Sequence, residues 1–163
     1  MAFNNYISYE AAKAKIEHYC AYQERCHYEV KEKLYSFKLN TNEVEEILSQ
    51  LISDSFLNEE RFAAKFAHGK FVMKQWGKNK IKYALQQKRV SPRNITDALD
   101  ALNMVDYINT LNKLLHKKWQ AQKNDQYIVR EVKCRQYLLQ KGYEAALITK
   151  AIAALKAQKK QEQ

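Results

Sequence analysis

The chain has 163 residues, with 28 Lys and Arg against 18 Asp and Glu and a net charge of +10. No apolar run is long enough to span a membrane and the start lacks a signal-peptide pattern, so a cytoplasmic protein is expected. Three glycines and one proline leave no glycine-rich loop to cradle a phosphate and suit continuous helix.

The first predicted helix runs from about Ser8 to Glu24, with Ala12, Ile16, Tyr19 and Cys20 as its apolar stripe. A helix pair follows, anchored on Leu34. Val30 lies one turn before the anchor; Val44, Leu48 and Leu51 share one face of the next helix. Leu39 plugs the turn between them. Asn40 with Glu43 has capping-box spacing, although Ser or Thr usually opens that motif. Asn58 is an N-cap followed by Glu59 and Glu60, two carboxylates that complement the helix dipole. The helix that starts there carries Phe62, Phe66 and Val72. A second pair is anchored on Leu85, with Ile81 before it and Val90, Ile95, Leu99 and Leu102 after it. Ser91-Pro92 supplies a capping hydroxyl and then proline at the first helical position. Tyr107, Ile108, Leu111, Leu114 and Leu115 stripe the next helix. A third pair is anchored on Leu138, with Cys134, Tyr143, Ile148, Ile152 and Leu155. Gly142 suits a left-handed helix end. The matching positions hold Lys38 and Arg89, which must close differently or carry strain. Residues from about Ala157 to Gln163 are polar and expected to fray.

The anchors Leu34, Leu85 and Leu138 are 51 and 53 residues apart, and six apolar positions coincide in each copy. One unit is used three times. No window shows the apolar alternation of a strand. The fold class is therefore all-α: three tandem three-helix, helix-turn-helix-like repeats at 1–57, 58–103 and 104–163 in an elongated or curved array. Units of this size bury little core alone, so neighbours share contacts.

Catalytic signatures are absent: no GxxxxGK[ST], GxSxG or HExxH, and no recurrent carboxylate cluster. Asp97 and Asp100 have ordinary exposed-face spacing, and His68 and His116 lack evident partners. Cys20, Cys26 and Cys134 lack CxxC spacing, which points to reduced thiols. Cys20 and Cys26 with His18 and His27 fit no standard zinc site. A binding protein is expected, with no enzyme activity, metal or cofactor.

Charge is divided unevenly. Residues 1–57 carry 6 basic and 9 acidic side chains, 58–103 carry 10 and 4, and 104–163 carry 12 and 5. From Arg61 to Thr96 there are ten Lys or Arg and no Asp or Glu. So unbalanced a region repels itself unless a polyanion or acidic protein face compensates. Candidate contact residues are Lys70, Lys74, Lys78, Lys80, Lys82, Lys88, Arg89 and Arg93, and in the third repeat Lys113, Lys117, Lys118, Lys133 and Arg135. Lys78, Lys82 and Arg89 are placed on one side of a helix, away from Ile81 and Leu85. Trp76 and Tyr83 interleave with these cations; at helical spacing packing is the commoner role for such rings, and stacking on bases the other. Arg61, near a helix N-terminus, opposes the dipole and needs an acceptor such as Asp54 or a nearby carbonyl.

The run Phe56-Leu57-Asn58-Glu59-Glu60-Arg61-Phe62-Ala63, then Trp76-Gly77-Lys78-Asn79-Lys80-Ile81 with Leu85, then Tyr137-Leu138-Leu139-Gln140-Lys141-Gly142-Tyr143, closely resembles the RecX family of bacterial recombination regulators. The resemblance extends from about Tyr9 to Leu155. It departs at Arg89, where the family often has glycine after lysine. The resemblance implies a protein that binds the RecA recombinase and its filament on single- or double-stranded DNA. It further implies inhibition of ATP hydrolysis, strand exchange and the co-protease activity behind the SOS response. A monomer is expected. The alternatives are a free-standing DNA- or RNA-binding protein and a helical scaffold for an acidic protein partner.

Overall fold

The computed structural model describes residues 7–162. They form nine α-helices and no strand: α1 (Tyr9–Tyr22), α2 (His27–Ser36), α3 (Thr41–Ser53), α4 (Glu59–Lys74), α5 (Lys78–Gln87), α6 (Pro92–Asp100), α7 (Met104–Ala121), α8 (Tyr127–Lys141) and α9 (Ala145–Gln161). None is long and apolar enough to cross a membrane. The chain divides into two compact units, Met1–Phe66 with Leu85–Ala98, and Ala67–Ala84 with Leu99–Gln163.

In the first unit α1, α2 and α3 pack on one another. Ser8 caps α1 by accepting from the Ala11 N–H at 3.2 Å. Ala12, Ile16 and Cys20 follow at steps of four, so one face is buried along the helix. They meet Val30 and Leu34 of α2 and Val44, Ile47, Leu48 and Leu51 of α3 in one core. Asn40 and Glu43 form a complete capping box: the Asn40 side chain accepts from the Glu43 N–H at 2.9 Å, and Glu43 accepts from the Asn40 N–H at 3.0 Å. Asn thus serves where Ser or Thr is usual, because its Oδ1 reaches the same donor. Asn58 caps α4 by accepting from the Arg61 N–H at 2.9 Å.

In the second unit α7, α8 and α9 pack mutually. Tyr107, Leu111, Leu114, Leu115 and Trp119 form the buried stripe of α7; Ile108 is only half-buried. The rings of Phe71, Tyr107 and Tyr143 run in sequence, with centroids 5.7 and 5.2 Å apart. Val72, expected in the α4 stripe, is 57% exposed. The stripe instead follows Phe62, Ala63, Ala67 and Phe71, whose steps of one, four and four keep to one helix face.

All three copies of the six repeat positions are buried, none more than 9% exposed. The turns agree as well. Lys38, Arg89 and Gly142 all have positive φ, at 60, 58 and 98°. Lys38 and Arg89 therefore do not close differently: they adopt the left-handed turn that glycine takes in the third copy, at a cost of roughly 1–2 kcal/mol each. In the second and third copies the next residue completes a six-to-one bond, Val90 N–H to Leu85 O at 3.2 Å and Tyr143 N–H to Leu138 O at 3.1 Å. The C-terminal segment also departs from expectation. Helix α9 continues to Gln161 rather than fraying from Ala157, with Lys159 and Lys160 in its last turn complementing the dipole.

The N-terminus of α5 is closed by the third helix pair. The Gly77 N–H donates to the Lys141 carbonyl at 2.8 Å and the Asn79 N–H to the Gly142 carbonyl at 2.9 Å. The Lys78 N–H donates to the Tyr107 hydroxyl at 2.9 Å. That hydroxyl donates in turn to Glu144. The Tyr143 hydroxyl donates to the Gln75 carbonyl at 2.9 Å. Close approach needs glycine on both sides. A Cβ on Gly77 would lie 2.3 Å from the Gly142 carbonyl carbon, and one on Gly142 would lie 2.3 Å from the Lys80 Cβ.

This junction can be tested in two ways. Gly77→Ala places its methyl against backbone that cannot rotate away, so it should lower unfolding stability by about 2–3 kcal/mol in urea titration; an alanine variant as stable as the parent would contradict the geometry. The second test uses alkali. Burial, and then the hydrogen bond to Glu144, hold the Tyr107 proton well above the ordinary tyrosine value of 10.0. Burial, with Glu144 nearby, does the same to Tyr143. The folded state thus keeps protons that the unfolded chain releases, and stability present below pH 10 is lost as pH rises above about 10. Denaturation midpoints should fall through that range, and less steeply in Tyr143→Phe.

Candidate nucleic-acid interface

The expected contact residues lie in different settings, which their supporting helices impose. In the second unit, α5 begins at Lys78, and the N–H groups of Gly77, Lys78 and Asn79 are spent on Lys141, Tyr107 and Gly142. Those donors are therefore closed to a phosphate, and an anion at this helix end is met chiefly by side chains. The Lys78 ammonium is 5.4 Å from the Tyr107 ring and its side chain is half-buried. Lys82, one turn on, is exposed. Lys80 and Lys70 sit over the Trp76 ring at 4.7 and 4.9 Å. Lys74 is exposed, and its carbonyl accepts from the Lys141 ammonium at 3.0 Å.

Trp76 is half-buried, with two cations near its ring. Tyr83 is 64% exposed, so the packing role does not hold for it. Its Cβ falls on the polar arc of α5, whereas Ile81 and Leu85 take the buried one.

In the same unit, Lys113 and Lys117 are exposed on α7. Lys118 lies 5.2 Å from the Tyr137 ring. Lys133 pairs with Asp125 at 2.9 Å. Arg135 donates to the Thr149 hydroxyl at 2.8 Å and sits 3.9 Å from Glu131. These last two are partly neutralised by their own repeat.

In the first unit, Lys88 is ion-paired with Glu29, with its ammonium 5.9 Å from the Phe66 ring. Arg89 lies 4.6 Å over the Tyr28 ring. It does not share a face of α5 with Lys78 and Lys82, because α5 ends at Gln87 and Arg89 occupies the left-handed turn beyond. Arg93, in the first turn of α6, is exposed. Arg61 does find acceptors. Its Nε donates to Glu24 at 2.6 Å and its Nη2 to the Ser55 carbonyl at 3.0 Å. A carbonyl is there as expected; the carboxylate is Glu24 rather than Asp54, because the segment after α1 returns to the start of α4. Arg61 is thus a structural residue of the first unit.

Of the expected contact residues, those left exposed with neither a carboxylate nor a ring on their charge, among the described residues, are Lys74, Lys82, Lys113 and Lys117 in the second unit and Arg93 in the first. Their ammonium and guanidinium groups suit phosphate oxygens, which take charge-assisted hydrogen bonds without regard to sequence. Among the described residues no three His, Cys, Asp or Glu side chains gather as a metal would require. Cys20, Cys26 and Cys134 are all buried. Burial pushes the Cys20 thiol up to about 11, the opposite of what a thiolate ligand or nucleophile needs.

Sequence patterning missed the polar side of the junction. It places Tyr107 in an apolar stripe and does not single out Glu144. The available signal is a tyrosine, rather than a leucine or phenylalanine, at a fully buried position, since a buried hydroxyl needs partners.

Comparison with known proteins follows the same order of elements. The model of the RecX second three-helix domain matches residues 58–99, and that of the RecX third three-helix domain matches residues 106–152. Regulatory protein RecX from Oceanobacillus iheyensis is 26% identical over 135 residues, covering 83% of this chain and 50% of that protein. Regulatory protein RecX from Clostridium perfringens is 30% identical over 119 residues, covering 71% of this chain and 55% of that one. The chain spans about half the length of these relatives. The crystal structure of RecX from Lactobacillus salivarius superposes with a TM-score of 0.85 at 24% identity, covering 91% of this chain and 97% of that one, a likeness of fold. With two successive family domains matched across more than half of its residues, the chain belongs to the RecX family.

Proposed function

We propose that the chain is a regulator of the RecA recombinase. It binds RecA and its nucleoprotein filament and inhibits ATP hydrolysis, strand exchange and co-protease activity, and so modulates recombination, repair and the SOS response. It acts in the cytoplasm as a monomer. Family membership supports the assignment to regulation. The observation that carries the contact with a DNA filament is the set of exposed cations without carboxylate partners among the described residues, Lys82, Lys113 and Lys117 above all. Three repeats of unlike charge divide the work: the acidic 1–57 meets protein, and the basic 58–103 and 104–163 meet the phosphate backbone. Lys70, Lys74, Lys78, Lys80, Lys118, Lys133 and Arg135 add to the contacts proposed for the second unit, and Lys88, Arg89 and Arg93 supply those of the first. No catalytic group is required, because such a protein acts by occupying a surface.

Charge reversal tests the placement. Lys82 and Lys117 are exposed, so Lys82→Glu with Lys117→Glu should keep helix content and unfolding midpoint. Removing phosphate contacts should weaken retention on RecA-coated single-stranded DNA and flatten its salt dependence by about one unit of slope per lost contact. Equal retention and an unchanged slope would sink this surface. Undiminished binding to naked DNA with no response to RecA would favour the free-standing nucleic-acid binder.

A further inference from the structure

The first repeat is the acidic one, yet it holds a cleft of opposite sign. Of its six basic residues, Lys15, Arg25 and Lys33 line one cavity of about 310 Å³ between α1 and α2. The rings of Tyr19, Tyr22 and Phe37 line it too, His18 adds to the wall, and no Asp or Glu does. The Arg25 Nε donates to the Tyr19 carbonyl at 3.2 Å, which fixes the guanidinium plane 3.7 Å from the Tyr19 ring. The Lys33 ammonium is 5.7 Å from both the Tyr19 and Phe37 rings, and that of Lys15 is 5.9 Å from Phe37. None of the three cations pairs with a carboxylate among the described residues, whereas Lys31 of the same repeat pairs with Glu45 at 3.2 Å.

These observations define the occupant. Cations resting on ring faces at an exposed site are weakly held, so an anion can draw them away. Three converging positive charges with no acid call for a phosphate-like group. The rings call for a flat partner: Tyr22 is 77% exposed, and the held Arg25 plane is itself a stacking surface for a base. A carboxylate peptide would use the cations and leave three rings without a role. The volume lies at the lower bound of small-molecule sites, roughly 300 Å³, which suits one nucleotide and excludes a partner helix. A duplex keeps its base faces stacked inside, so the nucleotide must belong to a single strand. We infer that the α1–α2 cleft binds one nucleotide of a single-stranded nucleic acid, with the phosphate on Lys15 and Lys33 and the base against Tyr22 and the Arg25 plane. The inference rests on the proposed nucleic-acid binding and adds a site outside the basic repeats.

The test is residue-resolved NMR on the full chain, titrated with a short oligothymidylate. The amides of residues 15–22 and 33–37 should shift and saturate. In Tyr22→Ala with Lys33→Gln, both exposed positions, the affinity read at those amides should fall roughly fivefold or more, the loss of one stacked base, while shifts in the second and third repeats persist. Silent cleft amides beside shifting basic repeats would overturn the inference and leave the proposed function standing; silence everywhere would take both. Equal shifts and affinity with inorganic polyphosphate, or shifts with an oligoglutamate peptide and none with the oligonucleotide, would likewise overturn it.

Discussion

The second unit depends on one backbone crossing. Gly77 and Gly142 approach until there is no room for a Cβ on either. At that distance the carbonyls that end α8 become the acceptors that begin α5. A helix usually leaves its first N–H groups to a side chain or to water. Here another helix's terminus takes them, so the positive end of one dipole faces the negative end of another. Tyr107 completes the cap and donates its own proton to Glu144 in a hydrogen bond. The ring row from Phe71 through Tyr107 to Tyr143 then fills the space beneath. The position of the basic helix α5 follows from this junction, and with it the positions of Lys78, Lys80 and Lys82.

The junction also shapes what the basic surface can do. Because three N–H groups at the α5 terminus are already bonded, the proposed phosphate contacts fall to flexible side chains, which supply charge without sequence selectivity. Several of the predicted cations are already engaged by Glu29, Asp125 and Glu131. Others rest on rings, as Lys70 and Lys80 do on Trp76. A regulator proposed to follow a filament of any sequence is well served by such contacts, since they attract strongly at a distance and fix little.

Much of the fold was legible in the sequence. Apolar spacing placed all eighteen repeat positions in the core, because side chains that recur at the helical period share one face and only burial takes that face out of water. Caps at Asn40, Asn58 and Ser91 were legible because each satisfies a local donor. What failed was non-local or conformational. Lys38 and Arg89 adopt glycine's turn against their own preference, since burying Leu39 and Val90 at the corner outweighs the strain. Val72 misled because an alanine-lined face reads as weakly apolar. Arg61 visibly needed an acceptor, but only the return of the chain from α1 makes it Glu24. Net charge gave the basic repeats and concealed the cationic cleft of the acidic one, where three bases cluster within a surplus of acids.

Restraint of RecA is the proposed function. ATP hydrolysis by the cognate RecA on single-stranded DNA, titrated with this protein at fixed salt, tests it most directly. Inhibition that is complete well below one protein per RecA is the predicted result. Hydrolysis that continues undiminished in excess protein, on DNA verified as RecA-coated, would contradict it.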